Sequence, residues 1–189
     1  DVLLNIGDGL TNETGGMVRR VNNQEIEGVR LLGTFCYNPQ AVFPIYFVMR
    51  INKQPKEQGA WKQQPMRQGV KGEWDPDNGK LKRYKNYTRE LAGDGIGYYY
   101  TFDCAEGEQV EVSMGVSFVS IDNARDNLNR EQPQGTTFEQ IAQQADKDWE
   151  QTLGRITVKG GTEAQRRIFY TALYHTQLHP NILQDCNGD

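Results

Sequence analysis

Before residue 120, apolar and polar positions alternate with a period of two, which is the period of a β-strand. The clearest segment is 110–119, which would place Val110, Val112, Met114, Val116 and Phe118 on one face and Glu111, Ser113 and Ser117 on the other. We predict further strands at 27–35, 42–51 and 98–102. Turn-forming segments lie between them at 74–80, 91–97 and 102–110. Many short strands joined by turns are typical of a mostly antiparallel β-sandwich.

After Ser120 the period becomes that of a helix. Ser120 is the expected N-cap of a first helix over 121–131. Thr136 and Glu139 have the spacing of a capping box for a second helix. One apolar stripe runs along this second helix: Phe138, Ile141, Ala142, Ala145 and Trp149.

A third helix is expected to begin after Thr162, which has the capping-box spacing with Gln165 in the first turn. Apolar residues surround most of this helix, so we expect it to need neighbours on several sides, a helical partner layer that this sequence does not contain. The fold class predicted from the pattern is therefore mainly β with C-terminal helices.

Charge and composition exclude several classes of function. The formal net charge is −4, and the only basic run lies at 80–85, which favours a charged edge strand over a nucleic-acid surface. No apolar stretch approaches the roughly 20 residues that a membrane span needs. Cys36, Cys104 and Cys186 are widely spaced and form no CxxC pair, so neither a disulfide framework nor a zinc motif is predicted.

Two groups near the end of the chain are candidates for chemistry. His175 and His179 lie four residues apart, but a zinc-protease motif requires Glu where Thr176 stands, so packed histidines are favoured over a metal pair. The segment 184–189 is rich in oxygen ligands, but it lacks the glycine and the distal Glu of a calcium-binding EF-hand loop. An ordinary turn is the favoured interpretation, and we predict no metal site.

Aromatic residues allow a second interpretation of the β-rich part. Trp61, Trp74, Tyr84 and Tyr87 would suit a sugar-stacking platform, although aromatics in a sandwich more often belong to the core. From this chemistry alone, the residues name no function.

A set of ordered motifs resembles glycoside hydrolase family 92, the calcium-dependent α-mannosidases of glycan-degrading bacteria. In that family a strand ending in G-x-S-F-V-S precedes a helix reading N-A-R-x-N-L, a Trp-bearing helix, a Gly-Gly-Thr link, F-Y-T-A-L-Y-H, P-N-I and D-x-N-G. Here these are 115–120, 123–128, Trp149, 160–162, 169–175, 180–182 and 185–188. The segment 26–53 fits the family's N-terminal sheet more loosely.

The resemblance implies an N-terminal β-sandwich, part of a galactose mutarotase-like supersandwich, followed by an (α/α)6 barrel. Residues 1–120 would be the later part of the sandwich, 121–160 linker helices and a short strand, and 161–189 the first helix and loop of a truncated barrel. It also implies inverting hydrolysis of mannosides in N-glycan degradation, with a Glu acid, an Asp base, Ca²⁺ and a periplasmic or secreted location. None of the family's catalytic or metal-binding positions falls on a residue of this chain.

Asp185 and Asn187 are the only substrate-binding candidates, because they would line the cleft between the two domains. We expect a fragment of an α-mannosidase that acts on α-1,2 linkages when complete. The fragment alone should be inactive. Its apolar last helix should be covered by the missing barrel in the complete enzyme, or should self-associate in the fragment. Two alternatives stay open: a non-catalytic carbohydrate-binding sandwich that uses Trp61 or Trp74, and a purely structural domain.

Overall fold

The computed structural model describes residues 1–6, 15–33, 41–63 and 81–189. Within these ranges, nine strands precede three helices. The strands are β1 (Val2–Asn5), β2 (Gly16–Arg20), β3 (Glu25–Leu32), β4 (Phe43–Ile51), β5 (Glu57–Gln63), β6 (Leu81–Lys85), β7 (Leu91–Gly93), β8 (Ile96–Thr101) and β9 (Val112–Ser117), and the helices are α1 (Ile121–Glu131), α2 (Phe138–Leu153) and α3 (Glu163–Thr176).

The strands form two antiparallel sheets, which confirms the predicted fold class. One sheet has the order β1-β8-β5-β6, and the other has the order β7-β2-β3-β4-β9. The basic strand β6 lies at an edge of the first sheet, as its charge predicted. The turn at 74–80, which was expected to join two strands, lies outside the described residues.

The two sheets share one hydrophobic core. Alternate residues of β4 and β8 point into it, so that Met49 is 2% exposed and Tyr100 is 1% exposed. The fully buried members are Ile6, Val18, Ile26, Phe47, Met49, Ile51, Ala60, Ile96, Tyr98 and Tyr100. The aromatic segment therefore forms a strand, as its β propensity predicted, and this strand supplies residues of the core.

Several predicted boundaries were wrong. Strand β3 covers Glu25–Leu32 instead of 27–35, β8 covers Ile96–Thr101 instead of 98–102, and β9 covers Val112–Ser117 instead of 110–119. The glycine-rich segment 91–97, predicted to be a break, contains β7 and the start of β8, with only Asp94 and Gly95 between them. Because Gly93 has φ 139° and Gly95 has φ 55°, the chain can leave one sheet and enter the other within this short distance.

Strand β9 buries the face opposite to the one that its pattern favoured. Val112, Met114 and Val116 are 38–50% exposed. Gly115 and Ser117, on the other face, are buried beneath α1. At Gly115 a Cβ atom would lie 2.3 Å from the carbonyl oxygen of Ala124, so α1 approaches the strand closely. β9 lies at the edge of the five-stranded sheet, where its apolar face is left largely exposed.

Helix α1 packs on the outer face of the five-stranded sheet. Ser120 is its N-cap, as predicted, and its hydroxyl accepts a 3.0 Å hydrogen bond from the Asn123 amide. Ala124 and Leu128 pack with Val48 of β4 in a small second core. Arg125, which follows Ala124 on the helix, pairs with Glu25 and Glu27 of β3.

Helices α2 and α3 form part of a second compact unit, residues 134–184, whereas residues 1–133 and 185–189 form the first. The α2 cap is Thr137 with Gln140, not Thr136 with Glu139, because the helix starts one residue later than expected. The predicted box of Thr162 and Gln165 is confirmed for α3.

The second unit is held together by aromatic contacts. The rings of Trp149 and Tyr174 lie 4.7 Å apart, and the Tyr170 hydroxyl donates to the Ile156 carbonyl at 3.1 Å. No residue of α2 or α3 is buried, so the neighbours that the apolar last helix was expected to need are not among the described residues. No strand forms in 155–161, where a short one was expected. In the described ranges, no helix combines the length and apolarity needed to cross a membrane.

Candidate functional site

The segment 185–189 folds into a small closed turn at the surface of the first unit. The Asp185 amide donates to the Asp189 carbonyl at 3.0 Å, and the Gly188 amide donates to the Asp185 carbonyl at 2.9 Å. Gly188 adopts φ 98°, a conformation that favours glycine. The Asn187 and Asp189 side chains also bond to each other, through Asn187 Nδ2 and Asp189 Oδ2 at 3.0 Å. We call residues 185–189 the Asp185 loop.

The Asp185 carboxylate is held by three donors. Its Oδ2 atom accepts hydrogen bonds from the Ser117 hydroxyl at 2.7 Å and from Asn123 Nδ2 at 2.7 Å. Its Oδ1 atom accepts one from Asn127 Nδ2 at 2.8 Å. Partial desolvation raises the pKa of Asp185, but the three hydrogen bonds together outweigh it and hold the pKa below its ordinary value. The carboxylate is therefore kept ionised.

The sequence brings these donors together by helical geometry. Asn123 and Asn127 are four residues apart on α1, so their carboxamides lie on one flank of the helix. Ser117 ends β9, and its hydroxyl also accepts from the Val119 amide at 2.9 Å and from the Ser120 amide at 3.3 Å. The strand end, the tight connection and the first turns of the helix thus form one rigid cradle for Asp185.

Asn127 is the most heavily used of the donors. Besides Asp185, its Nδ2 atom contacts the Val116 carbonyl at 2.8 Å, and its Oδ1 atom accepts from the Cys186 amide at 2.9 Å. It is 7% exposed. A buried carboxamide with both ends satisfied is a strong constraint on the backbone that it binds.

Other charged and titratable groups surround the Asp185 loop. Asn123 Nδ2 reaches Asp189 Oδ2 at 3.2 Å, and Arg130 donates to the Cys186 carbonyl at 3.2 Å. The Cys186 Sγ atom lies 3.6 Å from a carboxylate oxygen of Asp126. Desolvation and the neighbouring acidic groups raise the pKa of Cys186, so this thiol is kept protonated.

The structure places the two predicted substrate-binding residues, Asp185 and Asn187, on this one loop. Asn187 is exposed, and Asp185 is half-buried. Sequence reasoning assigned no role to the donors Ser117, Asn123 and Asn127. Two carboxamides one helical turn apart, beside an apolar stripe, were a usable signal, but their acceptor lies 62 and 58 positions away.

The other candidates lie elsewhere. His175 is in the last turn of α3 and contacts the Tyr174 ring, whereas His179 follows the end of the helix, so the two histidines do not share a helix face. Trp61 is 4% exposed, and its Nε1 atom is buried without a partner among the described residues. A buried indole is not a sugar-stacking platform. Trp74 lies outside the described residues.

In the described ranges, no group of three or more His, Cys, Asp or Glu residues could hold a metal ion. The Asp185 loop does not fit Ca²⁺ either, because Ser117, Asn123 and Asn127 engage three of the roughly four acceptor positions of its central carboxylate, and Ca²⁺ needs about six to eight oxygen ligands.

Comparison with protein families identifies both halves of the chain. Residues 1–117 match the model of the glycosyl hydrolase family 92 N-terminal domain, and residues 123–189 match that of the family 92 catalytic domain. The chain belongs to glycosyl hydrolase family 92. The first match ends with β9 and the second begins in the first turn of α1, so the donors of Asp185 come from both: Ser117 from the first, and Asn123 and Asn127 from the second.

Solved structures of family 92 share this fold. A family GH92 α-mannosidase of Bacteroides thetaiotaomicron is 26% identical, with a TM-score of 0.71, and the match covers 93% of this chain and 21% of that one. A family GH92 inverting mannosidase of the same organism is 25% identical, with a TM-score of 0.70 and the same coverage. An uncharacterized secreted glycosidase of Arthroderma benhamiae is 31% identical over 98 residues, which are 49% of this chain and 12% of that protein. The chain thus spans about a fifth of the solved relatives.

Proposed function

We propose that this chain contributes the sandwich and the start of the catalytic domain to an exo-acting α-mannosidase that cleaves α-1,2-linked mannosides with inversion. The observation that carries the proposal is the match of both halves to family 92, together with the similarity to an inverting mannosidase of Bacteroides thetaiotaomicron. A periplasmic, cell-surface or secreted location and a role in N-glycan breakdown by a bacterium belong to the same proposal. The name of the secreted relative supports the location.

Within this proposal, the Asp185 loop contacts substrate. An ionised carboxylate has about four acceptor positions, two on each oxygen. Three of them are occupied by Ser117, Asn123 and Asn127, which leaves one position on Oδ1 for a sugar hydroxyl. The exposed carboxamide of Asn187 would contribute a second polar contact next to it.

The reacting groups of this proposal lie outside the chain. Inversion requires an acid and a base about 6.5–9.5 Å apart, so that a water molecule fits between the base and the sugar. We assign neither role to a residue here. Ca²⁺ is proposed for the complete enzyme only, because the described residues offer it no ligand set.

The exposed apolar side chains of α2 and α3 support a further part of the proposal. Phe138 is 72% exposed and Ile168 is 69% exposed. Apolar surface of this extent marks an interaction site in a soluble protein. We propose that the remaining helices of the catalytic barrel cover it in the complete enzyme, and that the isolated chain self-associates instead.

Mannose release tests the proposed activity in two arms. The complete gene product containing this sequence should release mannose from α-1,2-linked mannobiose with Ca²⁺ present, and the first sugar detected by proton NMR should have the inverted anomeric configuration. The purified 189-residue chain should release none. Retention of configuration, or no cleavage of any α-mannoside by the complete product, would contradict the proposed reaction. Turnover by the chain alone would contradict the placement of the catalytic pair.

The same assay tests the substrate contacts. Asp185→Asn and Asn187→Ala in the complete product should raise the KM for mannobiose, because each removes a proposed contact with a sugar hydroxyl. Glu106→Gln, in an exposed turn of the sandwich, is the matched control. An unchanged KM in both variants would exclude the Asp185 loop from the substrate site.

A further inference from the structure

Two buried carboxylates lie under α1. Glu25 is 7% exposed and Glu27 is 4% exposed, and both project from β3 onto the face of the sheet that α1 covers. The Arg125 guanidinium spans them, with one terminal nitrogen on Glu25 and the other on Glu27. Such paired, charge-assisted hydrogen bonds are strongly directional, which apolar contacts are not.

Each carboxylate also has a second arginine. Arg50 Nε donates to Glu25 at 2.5 Å, and Arg19 pairs with Glu27 at 2.5 Å. Arg50 additionally reaches Asn129 of α1 at 2.7 Å. The two carboxylates are thus also held by arginines of β2 and β4, so they form an anchor for Arg125 on the sheet.

Arg125 stands on the opposite flank of α1 from the donors of Asp185. At 100° per residue, Asn123 and Asn127 each lie about 160° away from Arg125 around the helix axis, and Ala124 lies between the two flanks. Ala124 and Leu128 face the sheet. Because apolar contacts are not directional, these two contacts by themselves would not prevent the helix from rotating about its axis. Any roll that breaks the pairing of Arg125 also moves both carboxamides relative to Asp185.

We propose that Arg125 is a positioning residue for the Asp185 loop. Its double pairing with Glu25 and Glu27 sets the rotation of α1, and that rotation delivers the carboxamides of Asn123 and Asn127 to the Asp185 carboxylate. The contact of the loop with a sugar rests on the proposed function, whereas the positioning itself does not. The test therefore measures the loop without any sugar.

The first variant keeps the positive charge at position 125 but removes the guanidinium that spans the two carboxylates. Lys at position 125 retains the cation, but its single ammonium cannot span two carboxylates in the same way. In the complete 189-residue chain, we expect Arg125→Lys to raise the NMR titration midpoint of the Asp185 carboxyl toward its ordinary value of 3.8. We also expect faster hydrogen exchange at the Cys186 amide, which donates to Asn127. Arg167→Lys, at an exposed arginine paired with Glu163, is the matched control and should change neither readout.

In the second variant, positioning and simple electrostatics predict shifts of the Asp185 pKa in opposite directions. Glu25→Gln with Glu27→Gln removes two negative charges, which through space would lower the Asp185 pKa further. Loss of the anchor would instead raise it. The other charged or titratable groups near Asp185 are Asp126, Asp189, Arg130 and Cys186, and all are unchanged in this variant.

A higher midpoint in both variants, with Cys186 exchange accelerated and the chain still folded by circular dichroism, supports the proposal. An unchanged or lower midpoint in either folded variant overturns it. If the double variant does not fold, Arg125→Lys alone decides in the same way. A failure of the mannose-release assay leaves this result untouched, so the two proposals fail separately.

Discussion

The hydroxyl of Ser117 donates a 2.7 Å hydrogen bond to Asp185, 68 positions further along the chain. Ser117 is 2% exposed, and its oxygen also accepts from the backbone amides of Val119 and Ser120. One buried hydroxyl therefore fixes both the connection between β9 and α1 and the Asp185 loop.

Ser117→Ala should lower the free energy of unfolding of the first unit by about 1–3 kcal/mol, because it leaves buried polar partners unsatisfied. It should also raise the pKa of Asp185, which loses a donor. Urea denaturation and carboxyl NMR measure the two effects. Ser113→Ala, on the same face of β9, is the matched control. If the two variants were equally stable, the hydrogen bonds of the Ser117 hydroxyl would not contribute to the free energy of unfolding.

Stability should decrease in acid partly through Glu25. Burial raises the pKa of Glu25, but the hydrogen bonds and charges of Arg50 and Arg125 outweigh it and lower the pKa below 4.5. A depressed pKa means that the unfolded chain binds the proton more tightly, so the stabilisation is complete above pH 4.5 and is lost as the pH falls below it.

Glu25→Gln should therefore reduce the free energy of unfolding at about pH 6 much more than at about pH 3, where the unfolded chain already binds the proton and part of the stabilisation is lost. Urea denaturation at the two pH values gives the comparison. Glu106→Gln, at an exposed residue of the same unit, should have little effect at either pH. A Glu25→Gln penalty that does not shrink in acid would contradict the assigned pairing.

Gly115→Ala should destabilise the packing of α1 on β9. The added Cβ would lie 2.3 Å from the Ala124 carbonyl oxygen and 2.6 Å from the Leu128 Cβ atom, and the backbone oxygen cannot move aside easily. Overpacking of this kind costs about 1–3 kcal/mol, and contact with the backbone favours the upper end. Ser113→Ala again serves as the control. Thermal unfolding of the two variants at equal midpoints would show that α1 can shift without cost.

The apolar face of β9 should promote self-association of the chain. Val116 is 50% exposed, and Phe118 and Val119 beside it are 47% and 51% exposed. Val116→Lys should reduce the fraction of dimer and larger species in analytical ultracentrifugation while leaving thermal stability nearly unchanged, because little buried area is lost. Val21→Lys is the control, since Val21 is similarly exposed at 46% and lies beyond the end of β2. An identical distribution for both variants would place the association elsewhere.

Trp61 should behave as a core residue. Removing this 4% exposed side chain should cost about 3–5 kcal/mol, as for other buried aromatics. Trp61→Phe, which retains most of the volume, should cost clearly less. Chemical denaturation measures both variants. If Trp61→Ala instead left stability intact and abolished binding to a mannose-containing glycan, the carbohydrate-binding alternative would regain its support.

Local chemistry accounts for the parts of the fold that could be predicted from the sequence. The caps at Ser120 and Thr162, the strand β4 and the edge position of β6 all follow from residues within a few positions of one another. The register error at Thr136 has the same origin, since Thr137 with Gln140 offers an equivalent box one residue later. Local signals choose the element well and its first residue less well.

Facing and long-range pairing were harder to predict. Alternation in β9 reveals two faces, but it does not reveal which of them a helix will cover, and the decisive residue was the small Gly115. Glu25 and Glu27 look like surface residues in a sequence, yet they are buried because three arginines from other elements meet them. The donors of Asp185 were missed for the same reason, since their partner is remote along the chain.

The Asp185 loop is attached to the first unit, so residues 134–184 close a loop on that unit. The free energy of closing this loop depends only weakly on its length. For a flexible connection, doubling its length adds only about 0.6 kcal/mol to the entropy of closing it. Residues 134–184 can therefore lengthen, shorten or acquire new elements in the course of evolution while the cradle of Ser117, Asn123 and Asn127 keeps Asp185 where it is. The sandwich unit, and not the intervening helices, holds the Asp185 loop in place.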